Sequence, residues 1–257
     1  MPQSGGIDAR FRQKPASRGR VSDWGSDFQS PTLSARPDTE TPPVLHYPKI
    51  PGSANAPDGR CVAFEKYDGT NLHFDWDRDF GWHAFGTRRD AFNLTEAGVA
   101  QFAAKHAHLR ECVAVFRSTL ADGLETAFRD HPTYRTPQSF QAFAEFLGPG
   151  SFAGLHKEGD PKSLRLFDVA AEGSGMVGPH QFVADFAHLP SARVVYEGKL
   201  TGKFADDVRA GKFGVEEGVV CKGGAGGADV WRVKIKTDAY LARLKQAFAD
   251  EWEDYWE

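Results

Sequence analysis

The chain has 257 residues, 40% hydrophobic and 26% charged, with 20 Phe and 6 Trp, enough apolar material for one sizeable core. It contains no run of about 18 apolar residues and no signal-peptide pattern, so the expectation is a soluble, cytoplasmic protein without a membrane segment. A formal net charge of −4 argues against indiscriminate binding to phosphate backbones, which rests on clustered Lys and Arg, so any nucleic-acid surface is expected to be local.

Residues 1–43 are poor in aliphatics and rich in Pro, Ser, Asp and Arg, and read as a flexible arm. Its first twenty residues carry Arg10, Arg12, Lys14, Arg18 and Arg20 against Asp8, a charge that either meets RNA or is merely solvated. The folded domain is expected over residues 44–257. Cys61 to Phe64 is an apolar strand that runs into a glycine-bearing turn. Thr95 to His108 has helical spacing, with Asn93 or Thr95 as cap, and Pro137 to Phe146 is read as beginning helical and ending extended. Gly178 to Leu189 and Gly202 to Ala210 read as helices around a strand at Arg193 to Tyr196. Gly223 to Gly227 is a hairpin-like break between two strands, without the GK[ST] of a phosphate loop. A last helix, capped by Thr237 or Asp238, places Leu241, Leu244, Phe248, Trp252 and Tyr255 along one face and ends in a cluster of acids. Cys61, Cys112 and Cys221 have no CxxC spacing and read as reduced core thiols; the histidines form no ligand pattern, and no structural metal is expected.

The chemistry concentrates where charge meets apolar strand. In Glu65-Lys66-Tyr67-Asp68-Gly69-Thr70-Asn71 a lysine ends an apolar run. A lysine there is either an ordinary turn residue or a nucleophile, and a nucleophile needs a neutral amine beside a closely approaching phosphate. Lys66, Arg88, Lys222, Lys234 and Lys236 lie in or beside apolar strands, where a cation needs an anion. Lys234 and Lys236 alternate with Val233 and Ile235, so both ammonium groups point to one face of a strand. Glu145, Glu217 and Asp168 are flanked by Phe or Val, and such inward carboxylates suit either a hard cation or an arginine.

Six blocks recur in one family's order. They are Lys66 to Asn71 (KxDGxN), Phe85-Gly86-Thr87-Arg88 on a strand, Phe143 to Gly148 with Glu145, Leu166-Phe167-Asp168, Glu217 to Val220, and Trp231 to Lys236. In them the chain resembles the covalent nucleotidyltransferases, and among these the ATP-dependent RNA ligases, including phage enzymes that seal double-stranded RNA. The resemblance runs from about Tyr47 to Glu257. It implies an α+β, ATP-grasp-like nucleotidyltransferase domain: packed antiparallel sheets flanked by helices, with ATP in the cleft between them.

The resemblance also implies roles. Lys66 would attack the α-phosphate of ATP and carry AMP, Lys234 and Lys236 would contact that phosphate, and their charge would help depress the Lys66 pKa. Glu217 would hold Mg²⁺ or Mn²⁺, Glu145 the ribose, and Phe167 would stack on adenine. Arg88, Asn71 and Lys222 would lie along the nucleotide or the incoming RNA end, and the main chain of Glu65 would help read adenine. Asp168 matches a family position without an evident role. The substrate implied is RNA with 5′-phosphate and 3′-hydroxyl ends, in RNA repair. Asn71, where DNA ligases and capping enzymes carry Arg, favours RNA. Only residues 237–257 follow the paired-lysine strand, where many relatives have another domain, so the chain reads as a minimal ligase or as one using a partner protein. The alternatives are a ligase or adenylyltransferase acting on DNA or another acceptor, and a non-catalytic nucleotide- or RNA-binding relative.

Overall fold

The structure, a computed structural model, describes residues 47–148 and 159–248. The expectations for the arm, for Trp252 and Tyr255 and for the acids after Phe248 lie outside the described residues. The elements in chain order are β1 (Arg60–Lys66), β2 (Thr70–Asp77), β3 (Gly81–Thr87), β4 (Asp90–Asn93), α1 (Glu96–Lys105), α2 (Cys112–Thr119), α3 (Ala121–Asp130), β5 (Ser139–Leu147), β6 (Ser163–Ala171), β7 (Gly175–Met176), α4 (Pro179–Phe186), β8 (Val194–Lys199), α5 (Gly202–Arg209), β9 (Gly218–Gly223), β10 (Trp231–Lys236) and α6 (Asp238–Phe248). The strands form two antiparallel sheets, a four-stranded one in the order β10-β9-β1-β8 and a six-stranded one in the order β4-β3-β2-β5-β6-β7. The fold is thus α+β.

Period-2 alternation gives each sheet two unlike faces. In the small sheet, Cys61, Ala63, Val219, Cys221, Val233 and Ile235 pack with Phe204, Ala205 and Val208 of α5. In the large sheet, Leu72, Phe74, Trp76, Phe140, Ala142, Ala144 and Phe146 form the main core with α1, α2 and α3. Phe74 stacks on Phe116 of α2 with centroids 3.7 Å apart, and Phe140 on Phe128 of α3 at 4.2 Å. Each of these buried rings contributes roughly 1.5–3 kcal/mol. The opposite faces, bearing Lys66, Lys222, Lys234 and Lys236 on the small sheet and Asn71 and Glu145 on the large one, are left for chemistry.

Several local expectations hold. Thr95 caps α1 by accepting from the Gly98 N–H, and Thr237 caps α6 by accepting from the Tyr240 N–H. The glycine break joins β9 to β10, with Gly224 and Gly227 at positive φ. All three cysteines are free and buried.

Two readings are corrected. The segment read as starting helical at Pro137 is strand from Ser139, because Phe140, Ala142, Ala144 and Phe146 repeat every second residue and pairing with β2 and β6 overrides local propensity. Arg88 is not on a strand but exposed in the β3–β4 turn, where Arg89 N–H donates to Thr87 Oγ1. The helices α2 and α3 were not foreseen at all. Among the described residues no helix is long and apolar enough to cross a membrane.

Candidate active site

The Lys66 turn and the paired-lysine strand meet across one glycine. Lys66 of β1 and Lys236 of β10 both pair with Gly218 of β9. Gly218 has φ +153, and a Cβ there would lie 2.0 Å from the Ile235 carbonyl oxygen, so a side chain is excluded. The result is a row of lysine, glycine and lysine across three strands. Glu217, which precedes the glycine, is buried, and its Oε1 lies 2.7 Å from Lys66 Nζ and 3.8 Å from Lys236 Nζ. Its main chain is pinned by α6, since Thr237 N–H donates to the Glu217 carbonyl at 2.9 Å and Thr237 Oγ1 to that of Glu216 at 2.8 Å.

The turn after Lys66 is equally constrained. Asp68 is buried and accepts from the Tyr240 hydroxyl at 2.8 Å. A Cβ on Gly69 would lie 2.4 Å from the Phe146 carbonyl oxygen and 2.9 Å from Glu145 Cγ. Glu145 pairs with Asn71 of β2 on one side and Arg165 of β6 on the other. Lys66 of β1 is therefore brought together with Glu145 of β5, Glu217 just before β9 and Lys236 of β10, which lie 79, 151 and 170 residues after it.

The electrostatics depart from the expectation in one respect. Burial pulls the Lys66 amine down, but Glu217, Glu145 and Asp68 outweigh it and hold its pKa above the ordinary lysine range. It is Lys236 that is lowered, by burial, against Glu217 and with help from Lys66. The reason is distance: the Glu217 carboxylate touches Lys66, and the depressing charge of Lys236 lies beyond it. Glu145 is pushed up to about 7, first by burial and then by Glu217, with Lys66 opposing.

A second cluster lies farther along the same strands. Lys222 pairs with Val62, four residues from the Lys66 row, or about 13 Å at strand rise. Its ammonium lies 2.9 Å from Asp168 Oδ1, donates to the Phe167 carbonyl, and sits over the rings of Phe64, Phe167 and Phe182. Arg232 Nε donates to Asp168 Oδ2 at 3.2 Å, and the Tyr47 hydroxyl donates to the same oxygen at 2.5 Å. Phe167 is half-buried, edge-on to Tyr47 at 5.1 Å and near-parallel to Phe143 at 6.4 Å. Burial, opposed by Asp168, lowers the Lys222 pKa.

Of the expected site residues, Lys66, Glu145, Glu217 and Lys236 converge, with Asn71 beside Glu145 by register and Lys234 two pairs along from Lys236, opposite Val220. Lys222 and Phe167 belong to the second cluster. The Glu65 N–H is engaged with the Arg193 carbonyl at 2.8 Å and its carboxylate with Arg193 Nε at 2.9 Å. Sequence reasoning missed Asp68, Tyr47, Arg232 and Tyr240. Arg232 carried a usable signal, because it shares the period-2 face of Lys234 and Lys236. Tyr240 lies one helical turn after Lys236.

Among the described residues no three His, Cys, Asp or Glu side chains form a ready metal cage. A single carboxylate is nonetheless available: Glu217 Oε2 is buried without a hydrogen-bond partner. That donor set fits Mg²⁺ or Mn²⁺, which takes one or two protein carboxylates and fills its shell with phosphate and water.

No protein-family model matches the chain, and no curated protein matches it. Solved structures do. An archaeal ATP-dependent RNA ligase is similar in two forms, one with TM-score 0.55 and 18% identity over 82% of this chain and 53% of that one, the other with 0.53 and 19% over 81% and 54%. An RNA ligase variant from Naegleria gruberi, solved with ATP and Mn, is similar at TM-score 0.51 and 14% identity over 79% of this chain and 59% of that one. At these identities the likeness is one of fold: the chain has an RNA ligase nucleotidyltransferase-type fold. It spans only a little over half the length of the ligases it matches.

Proposed function

We propose that this protein is an ATP-dependent RNA ligase that works through a lysyl-AMP intermediate on Lys66. The observation that carries the reading is the Lys66–Gly218–Lys236 row with Glu217 at 2.7 Å from Lys66. A fixed lysine, a second cation beside it and an under-bonded carboxylate are the parts needed to move an adenylyl group. In the first step the Lys66 amine attacks the α-phosphorus of ATP, pyrophosphate leaves, and AMP is held as a phosphoramidate. AMP then passes to an RNA 5′-phosphate, and a 3′-hydroxyl displaces it to form the phosphodiester.

The chain's own residues have three tasks. Lys236 and Lys234, on one face of β10, stabilise charge on the transferring phosphoryl group. Glu145 and Asn71, adjacent across β5 and β2, would hold the ribose. Lys66 must lose a proton that Glu217 holds on it, so weakening that pair controls the step. Bound at Glu217, Mg²⁺ or Mn²⁺ would neutralise this carboxylate and offset phosphate charge. Exposed Arg88 and Arg89 in the β3–β4 turn offer a local cationic surface to RNA on a chain of net negative charge.

The test is labelling with α-³²P-ATP and either metal, followed by transfer to nicked duplex RNA, single-stranded RNA and nicked DNA, each with a 5′-phosphate. The reading expects label on the protein and faster sealing of RNA. Label with faster sealing of DNA would move the assignment to a DNA-acting ligase of the same fold. An unlabelled protein, shown not to be adenylylated already, would support a binding role instead.

A further inference from the structure

Lys66 and Lys236 stand on strands that are not neighbours, since β9 lies between β1 and β10. The β9 ladder spaces the two backbones, and side chains add ties between the Lys66 turn and the end of β10. Besides Glu217, one side chain touches both. Tyr240, in the first turn of α6, is 2% exposed; its hydroxyl donates to Asp68 Oδ1 at 2.8 Å, and Lys236 Nζ lies 5.1 Å from its ring centroid. Its own backbone is fixed, because the Tyr240 N–H donates to Thr237 Oγ1 at 3.1 Å and Thr237 in turn holds the Glu216 and Glu217 carbonyls. We infer that Tyr240 is a positioning residue for adenylyl transfer, clamping the Lys66 turn through Asp68 while its ring seats Lys236, so that α6 sets the gap between the two ammonium groups.

The energetics suit a clamp. A hydrogen bond from a neutral hydroxyl to a buried carboxylate is of the stronger, charge-assisted kind, and a cation over an aromatic face adds attraction without taking up the ammonium's hydrogen-bonding capacity. Burial, followed by Glu217, Asp68 and Glu145, raises the phenol's pKa, so it remains a donor. A small displacement of either lysine is costly, because group transfer falls steeply when reacting groups are misplaced by about 1 Å.

The inference rests on the ligase reading, and its test separates the two. In the full chain, single-turnover formation of labelled lysyl-AMP is followed against ATP concentration for wild type, Tyr240→Phe, Asp68→Ala and the double variant, with thermal midpoints alongside. Tyr240→Phe is expected to lower the maximum rate about tenfold with half-saturating ATP unchanged, and to cost nothing further in the Asp68→Ala background. A full rate in Tyr240→Phe, a change in half-saturation alone, or an equal loss in both backgrounds overturns it. Should Tyr240→Phe fail to fold, Asp68→Asn and Asp68→Ala carry the test. Asn keeps an acceptor for the hydroxyl and is expected to label the faster of the two, and equal rates overturn the inference. An unlabelled wild type overturns the ligase reading, and this inference with it.

Discussion

The two charged clusters on the inner face of the small sheet are built from the same residue types and differ in what they leave unmet. Lys222, Asp168, Arg232 and Tyr47 form the more closed set: the Lys222 and Asp168 side chains are 3% and 2% exposed, and Asp168 answers two cations and a hydroxyl at once, with only Arg232 Nη2 left without a hydrogen-bond partner. The Lys66 cluster is open. Its lysine side chain is 25% exposed, and one Glu217 oxygen serves two lysines while the other has no hydrogen-bond partner. A closed buried ion cluster joins the sheets, because Lys222 and Arg232 come from the small sheet and Asp168 from the large one. An open one can exchange partners when a polyanion and a cation arrive. The lysine shifts differ residue by residue: carboxylates together outweigh burial at Lys66 and raise it, whereas burial lowers Lys222 and also Lys236.

Substitutions that ask each cluster to do the other's work would break this comparison. The largest effect is expected from Lys66→Ala, which should abolish the labelled intermediate while shifting the thermal midpoint little, since Glu217 keeps Lys236. Asp168→Ala should instead act on stability. It strands two buried cations and is expected to cost about 3–5 kcal/mol by denaturant unfolding; a loss within 1 kcal/mol of wild type, roughly the range of surface changes, would show that the second cluster is not a lock. Glu217→Ala and Lys236→Ala should each lower the rate of lysyl-AMP formation by roughly 10²-fold, and wild-type rates would remove them from the site.

The smallest effect sharpens the electrostatics. Glu145 sits at about 7 in the folded chain against 4.5 ordinarily, so the folded state keeps a proton that the unfolded state releases between those values. That contribution to stability is present below pH 4.5 and is lost as pH rises toward 7. Glu145→Gln should remove this loss and gain on wild type across the window by on the order of 2 kcal/mol. Parallel stability curves for the two proteins would contradict the assignment.

Much of the open cluster was legible because strand period and motif agree. Lys234 and Lys236 against Val233 and Ile235 reveal a charged face without any coordinates, and Cys61 to Phe64 reveals the strand that delivers Lys66. The closed cluster was less legible, since nothing local says that Asp168, Lys222 and Arg232 meet, and their partner Tyr47 is 121 residues from Asp168. Helix signals failed where tertiary pairing decides, as at Pro137 to Phe146. In α6 the expected stripe through Leu241 missed Tyr240, which lies one helical turn before Leu244 on the buried face and whose hydroxyl bonds Asp68. The pKa of Lys66 depended on a 2.7 Å contact that no sequence pattern encodes.

The central claim is that Lys66 is the residue that carries AMP. The most direct measurement is peptide mass spectrometry of the protein after reaction with ATP and Mg²⁺ or Mn²⁺, kept at neutral to alkaline pH so that an acid-labile phosphoramidate survives. The account predicts an AMP adduct on the peptide containing Lys66 and none in Lys66→Ala. An adduct at any other residue, or an unmodified Lys66 peptide in a protein that nonetheless seals RNA, would contradict it.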